Sequence, residues 1–240
     1  MADYINQALF GIYPYVALSV FLIGSVVRFD REQYTWRSGS SQLLRRRLLM
    51  VGSNCFHVGV LAILAGHFVG LLTPHEIYTG LGLSVENKQL LAMAAGGVAG
   101  ALCFLGLTLL IYRRLVDPRV RATSSAMDIA ILLMIYAQLI LGLASIFVSA
   151  QHLDGGEMLK LSEWAQRLVT LRAGAAQVIA DVAPVFKLHI LLGMTIFLLF
   201  PFSRLVHIWS APVGYVLRPY QVVRRRGAAV ARGQIGRAHV

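Results

Sequence analysis

Long apolar runs separated by short polar links dominate the chain. Five runs approach or exceed the length of about 20 residues that a helix needs to cross the hydrocarbon core of a bilayer. They are 9–27, 48–72, 89–112, 129–148 and 185–209. The second run contains no Asp, Glu, Lys or Arg. The pattern predicts an all-α membrane protein, a bundle of five transmembrane helices.

Arginines are concentrated in every second link, which predicts the direction of each span. The link after the first run, the link after the third run and the C-terminal tail carry most of them, while the links 73–88 and 149–184 hold one and three basic residues. By the positive-inside rule the arginine-rich segments are cytoplasmic. The N-terminus is then outside and the C-terminus cytoplasmic. We expect a five-helix domain over 1–226 and a separate Arg/Ala/Gly-rich tail over 227–240.

Smaller patterns predict details of packing. In the link 149–184, which is called the outer link below, five apolar residues fall on one side of a helix. This predicts an interfacial helix along the outer surface. The five are Met158, Leu161, Trp164, Leu168 and Leu171. The spacing of Gly96 and Gly100 favours close helix packing. Gly52, Gly59 and Gly66 recur every seven residues on the second run, and they suit helix packing and the close approach of a flat macrocycle equally well.

Composition supports a membrane protein and argues against nucleic-acid binding. Hydrophobic residues make up 57% of the 240 positions and charged residues 14%, whereas soluble domains carry about a quarter charged residues. The net charge of +11 is compatible with nucleic acid as a partner, but the arginines flank apolar runs, as in cytoplasmic loops of membrane proteins.

Four of the seven histidines lie within the predicted spans, where a polar ring is costly without a partner. His57 and His67 are on the second span, and His189 and His207 are on the fifth. The two spans run in opposite directions. His67 therefore opposes His189 near the outer face, and His57 opposes His207 near the cytoplasm.

The spacing along the two helices does not match. At about 1.5 Å per residue, His57 and His67 are separated by roughly 15 Å and His189 and His207 by roughly 27 Å. A continuous fifth helix also puts its two histidines on one face, five turns apart. Helix tilt and a bend at Pro201 must absorb the difference of about 12 Å.

Two imidazoles that face each other across a bundle suit the axial positions of haem iron. Zinc needs four ligands, and no Asp, Glu or Cys accompanies both pairs. The chain has no CxxCH motif, so the haems are predicted to be non-covalent, as in b-type cytochromes. Iron with two histidine ligands has no free position for substrate, which predicts electron transfer across the membrane.

Several longer motifs resemble the gamma subunit family of membrane-bound respiratory nitrate reductases. They are IYPY at 12–15, QYTWR at 33–37, GHFVGLLTPH at 66–75, PRVRAT at 118–123, SAQHLDG at 149–155 and FPFSRLVHIWS at 200–210. The resemblance covers about residues 8–222, and the arginine-rich tail beyond 226 departs from it.

The resemblance implies two b haems, quinol oxidation near the outer haem, and electron transfer to an iron–sulfur subunit and a molybdenum catalytic subunit. It assigns His57 and His207 to the cytoplasmic-side haem and His67 and His189 to the outer haem, all as iron ligands. Lys88 matches a lysine of the quinol site. The residues alone favour an interfacial anchor for Lys88 instead. No catalytic residue is predicted on this chain.

Two other functions are compatible with these observations. One is a related two-haem cytochrome b that serves another quinone-linked reductase, acting on a thiol–disulfide or a sulfur compound. The other is a haem-free membrane anchor or transporter. The length of the matched motifs argues against the first alternative, and the paired histidines argue against the second.

Overall fold

A computed structural model describes residues 2–32, 34, 44 and 46–210 of the chain. Within them, five helices are long and apolar enough to cross a membrane, at Asp3–Arg31, Arg46–Leu72, Val85–Val116, Ala126–Ser149 and Pro184–Phe202. No β-strand occurs among the described residues. The prediction of an all-α protein with five spans is confirmed. The predicted tail 227–240 lies outside the described residues.

The described helices are named in chain order. They are α1 (Ala2–Gln7), α2 (Tyr13–Arg31), α3 (Arg46–Leu72), α4 (His75–Gly80), α5 (Val85–Val116), α6 (Pro118–Ala122), α7 (Ala126–Ser149), α8 (Gly156–Val169), α9 (Ala175–Val178) and α10 (Pro184–Leu199). A π-helical turn, Ala8–Ile12, joins α1 to α2 and makes the first span continuous. Residues up to Ile208 form one compact unit.

Helices α3 and α5 pack closely because glycines line their contact. A Cβ atom added at Gly59 would lie 2.6 Å from the backbone nitrogen of Cys103. A Cβ atom at Gly52 would lie 3.2 Å from the carbonyl oxygen of Gly106. Gly66 has nothing within 4 Å of its Cβ position. The seven-residue repeat therefore serves helix packing at its first two positions and not at the third.

Of the two glycines in the predicted packing motif of the third span, one contacts α7 and the other has no neighbour among the described residues. A Cβ atom at Gly100 would lie 2.6 Å from Cδ2 of Leu143 on α7, so this glycine permits close helix packing as predicted. Gly96 faces open space, and a side chain there would meet nothing within 4 Å. The predicted packing motif thus acts through one of its two glycines.

The outer link does form a helix, α8, but its apolar face packs against protein. Trp164 and Leu168 are buried in a cluster with Phe10, and the indole nitrogen of Trp164 donates to the carbonyl oxygen of Phe10 at 3.0 Å. Leu171 lies beyond the helix end, with a left-handed φ of 55° and an exposed side chain. The expectation that this apolar face lies along the membrane surface is wrong, because the face covers one end of the bundle.

The fifth span is broken near its end, which corrects the prediction of one helix over 185–209. Helix α10 ends at Leu199, a 3-10 turn covers Phe200–Phe202, and Ser203 is extended. A second 3-10 segment, Arg204–Ser210, follows. Proline lacks the N–H that continues a helix, and its ring clashes with the carbonyl four residues earlier. The break falls at the bend expected at Pro201. Because of it His189 and His207 are not on one continuous helix, so the expected common helix face is wrong.

The first span supports the break. The guanidinium of Arg28 donates from Nη1 to the carbonyl oxygens of Pro201 at 2.5 Å and Ser203 at 2.8 Å. One helical turn earlier, a Cβ atom at Gly24 would lie 2.9 Å from Cγ of Pro201. Gly24 thus gives Pro201 room against α2, and Arg28 supplies donors to carbonyls that the interrupted helix cannot pair.

The glycine contact between α3 and α5 gives a stability prediction. Gly59→Ala places a methyl group against backbone atoms of α5, and overpacking of this kind destabilises by about 1–3 kcal/mol. We expect a lower midpoint temperature of unfolding in detergent. Gly96→Ala is the matched control, since alanine there has space and gains helix propensity. Equal or higher midpoints for Gly59→Ala than for the control would contradict the packing described above.

Candidate functional site

The structure brings the four membrane histidines together as two pairs. The rings of His67 and His189 have centroids 6.0 Å apart with an interplanar angle of 30°. The rings of His57 and His207 have centroids 6.3 Å apart with an angle of 74°. Each pair joins α3 to the fifth span. The spacing of the histidines along the two spans is unequal, and the break at Pro201 compensates for it because it lets His207 reach the level of His57.

The two spans that carry the histidines pack mainly on other helices and contact each other little. Helix α3 packs mainly on α5, while α10 packs on α7 and α2. Each histidine pair therefore meets between two spans that are held mainly by other helices. His57 and His67 are exposed along α3, and His189 and His207 are partly buried.

All four rings have the same hydrogen-bond arrangement at Nδ1, which lies close to a backbone carbonyl oxygen. The partners are Ser53 for His57 (2.7 Å), Ile63 for His67 (2.9 Å), Gln138 for His189 (3.1 Å) and Arg204 for His207 (2.7 Å). A carbonyl oxygen only accepts hydrogen bonds, so Nδ1 carries the proton in the neutral ring. The lone pair is then on Nε2, as metal-binding histidines require.

These distances fit one metal ion between the rings of each pair. An imidazole nitrogen binds a metal at about 2 Å, so two rings on opposite sides of an ion have centroids about 6 Å apart. Both observed spacings agree with this value. Among the described residues, no group of three or more His, Cys, Asp or Glu side chains could hold a metal. The donor set of two imidazoles at each level fits the axial ligands of haem iron.

Lys88 lies in the first turn of α5 and points into the protein. Its Nζ donates to the carbonyl oxygen of Gly70 at 3.0 Å and sits 3.8 Å from the centroid of the Tyr78 ring. The side chain is buried, with 9% exposed. Gly70 lies about one turn after His67 on α3, so the lysine belongs to the same end of the bundle as the His67–His189 pair. A lysine that anchors at the interface extends its amine towards the head groups instead.

The ring of Tyr78 covers one side of the Lys88 amine. The ring is buried, and burial raises the pKa of the Tyr78 hydroxyl, with a smaller effect from the carboxylate of Glu76. The phenol therefore stays neutral at physiological pH. Ser162 of α8 also donates to the carbonyl oxygen of Gly70, at 3.3 Å. Helix α8 is thus part of the surroundings of Lys88.

Sequence reasoning missed Gln138, which contacts His189 from α7. Its amide nitrogen lies 3.2 Å from Nε2 of the histidine, in addition to the backbone contact at Nδ1. One signal for it was available, because Gln138 is the only amide side chain in the apolar run 129–148. Polar residues within spans usually mark a function.

The sequence matches known proteins over nearly its whole length. The family model "Nitrate reductase gamma subunit" matches residues 6–226. The respiratory nitrate reductase 1 gamma chain of Escherichia coli (strain K12) is 55% identical, over 93% of this chain and 99% of that protein. The nitrate reductase gamma chain of Bacillus subtilis (strain 168) is 38% identical, over 92% of this chain and 99% of that protein.

The family match agrees with the five spans and with the motifs that carried the resemblance. A multi-pass protein of the bacterial inner membrane follows from the spans and the relatives together. The chain belongs to the nitrate reductase gamma subunit family.

Proposed function

We propose that this chain oxidises quinol near the outer face of the membrane and delivers the electrons to the cytoplasmic side for nitrate reduction. The observation that carries the proposal is the presence of two facing histidine pairs at two levels of one bundle. The family supports nitrate as the final electron acceptor, because the relatives are gamma chains of nitrate reductases. The partners are then an iron–sulfur subunit and a molybdenum catalytic subunit.

The histidines would hold two b haems through Nε2. His67 and His189 are assigned to the outer haem, and His57 and His207 to the cytoplasmic-side haem. A haem bound by two histidines supplies one-electron transfer and has no open position for substrate. The chain itself fixes each imidazole by a hydrogen bond from Nδ1 to a backbone carbonyl, which also raises the basicity of the ligand nitrogen.

Lys88 is the residue that we assign to quinol. Quinol is apolar and reaches the protein through lipid, and its oxidation releases two protons and two electrons. An ammonium group has three N–H donors, so Lys88 can hold the Gly70 carbonyl and still donate to a quinol oxygen. Its positive charge stabilises the oxygen as a proton leaves.

The direction in which protons and electrons leave the quinol is assigned from the charges of the loops. The positive-inside rule puts the end with His67, His189 and Lys88 outside. Protons from quinol then leave to the outer side, while the electrons move inward. Oxidation therefore separates charge across the membrane.

The cytoplasmic end is the proposed docking face for the iron–sulfur subunit. The described residues at this end include Arg114 and Arg204, which both approach the carboxylate of Asp128, at 4.0 Å and 3.5 Å. His207 lies three residues after Arg204 and is therefore close to this face. The predicted contribution of the tail 227–240 lies outside the described residues.

The histidine pairs give a prediction about haem content. We expect two non-covalent haems per chain, which acid acetone extracts completely. His67→Ala and His189→Ala should each remove the same outer haem, and His57→Ala and His207→Ala the other. Haem content and spectra of the purified complex measure this. Loss of the same single haem in the His57 and His189 variants would refute the pairing.

Lys88 gives a prediction about quinol. Lys88→Ala should leave both haems in place and slow their reduction by quinol about tenfold or more, since a hydrogen bond from a charged group contributes about 1.5–3 kcal/mol. Reduction by dithionite should stay normal. Lys160→Ala is the control, because that lysine pairs with Asp181 on the outer link at 2.7 Å and does not contact Gly70. Unchanged quinol kinetics in the Lys88 variant would show that the lysine is an anchor.

The identity of the final electron acceptor can be tested in membranes that contain the whole complex. Haems reduced by quinol should be reoxidised on addition of nitrate, and not on addition of a disulfide or a sulfur compound. This result separates nitrate reductase from the related two-haem cytochromes. Purified protein without a haem spectrum would instead support the haem-free anchor or transporter.

A further inference from the structure

His189 differs from the other three membrane histidines in how its ring is held. His57, His67 and His207 each reach a carbonyl three or four residues earlier in their own segment. His189 reaches the carbonyl of Gln138, which is 51 residues away on α7. Its orientation is therefore set by the packing of two helices.

Gly142 makes this contact possible. In an α-helix the carbonyl of residue 138 points towards residue 142, where its own helical partner lies. A Cβ atom at Gly142 would be 3.1 Å from Cε1 and 3.6 Å from Nδ1 of His189. A side chain at this position would push the ring away from the Gln138 carbonyl. Glycine leaves the carbonyl open to a second donor.

A second glycine completes the contact from the other side. A Cβ atom at Gly193, one turn after His189 on α10, would lie 3.1 Å from the amide nitrogen of Gln138. The ring of His189 thus fits against Gly142, and the amide of Gln138 fits against Gly193. The two helices interlock at the level of the outer pair.

Gln138 contacts both nitrogens of the ring, and the two contacts require one tautomer. The backbone carbonyl can only accept, so Nδ1 must donate to it. Nε2 then carries the lone pair and accepts from the Gln138 amide nitrogen, 3.2 Å away. This assignment follows from the carbonyl and does not depend on how the amide is oriented. The tautomer that a metal requires is therefore already set, with the lone pair on Nε2 directed at the Gln138 amide.

We propose that Gln138 and Gly142 are positioning residues for the outer haem, with the Gln138 carbonyl as the hydrogen-bond partner of His189 and Gly142 as the opening that exposes it. Helix α7, which carries no histidine, thereby becomes part of the outer site. The inference rests on the proposed haem binding.

The test uses the purified complex and two alanine variants. Gly142→Ala should displace His189 and weaken its bond to the carbonyl. Loss of that bond makes the imidazole less basic, so the ferric state is less stabilised and the midpoint potential of the outer haem rises. The low-spin ferric EPR signal of the outer haem should shift, and the outer haem should transfer to apomyoglobin about 10–100-fold faster. The inner haem should keep its potential and signal.

Gly96→Ala is the matched control, because it makes the same change in a span where the new methyl group meets nothing within 4 Å. It should leave both haems unchanged. Gln138→Leu keeps the backbone carbonyl and the glycine, so the EPR signal of the bound outer haem should stay at the unmodified position. If Gly142→Ala loses both haems by misfolding, a shifted outer signal in Gln138→Leu still overturns the assignment to the backbone carbonyl.

An outer haem unaltered by Gly142→Ala would overturn the inference, as would an outer signal shifted by Gln138→Leu as much as by Gly142→Ala. Either result, in a protein that still holds two haems, leaves the proposed function intact. Failure of the proposed function looks different, since the unmodified chain would then hold fewer than two haems.

Discussion

An imidazole inside a membrane must have its polar atoms satisfied by the protein, and this constraint organises much of the bundle. In hydrocarbon an unpaired polar group costs several kcal/mol. Each membrane histidine meets the requirement at Nδ1 by donating to a backbone carbonyl, which leaves the lone pair on Nε2. The interaction that satisfies the ring in hydrocarbon therefore also sets the tautomer that the proposed haem binding requires. Three of these carbonyls belong to the histidine's own segment, and the fourth, that of Gln138, comes from a neighbouring span.

The break at Pro201 reconciles the unequal spacing of the histidines with their pairing. An uninterrupted fifth helix would carry His207 well past the level of His57. Proline ends the helix, and the extended Ser203 redirects the chain into a second 3-10 segment. Arg28 then pairs the carbonyls that the break leaves behind. The first span, which supplies no histidine, thus helps to place one.

The end of the bundle that carries the His67–His189 pair is closed by segments between the spans. Helix α8 covers it with Trp164 and Leu168 and contacts the carbonyl of Gly70 through Ser162. Lys88 uses the same carbonyl and is covered by the ring of Tyr78. This amine lies at the same end of the bundle as the His67–His189 pair and is the group that we assign to quinol. The outer link is therefore part of the proposed quinol site as well as a connection.

The sequence by itself determined the five spans, the levels of the four histidines and their pairing by depth. These features depend on the length of apolar runs and on the direction of the chain, both of which are local or additive along the sequence. Only the tertiary structure decided that α8 packs its apolar face on protein, that Lys88 turns inward to Gly70, and that Gln138 holds His189. Those outcomes depend on which face of each helix meets its neighbour. In hydrocarbon that choice is made by the fit of small residues such as Gly59 and Gly142 to particular partners, and a pattern of apolar positions carries little information about such fit.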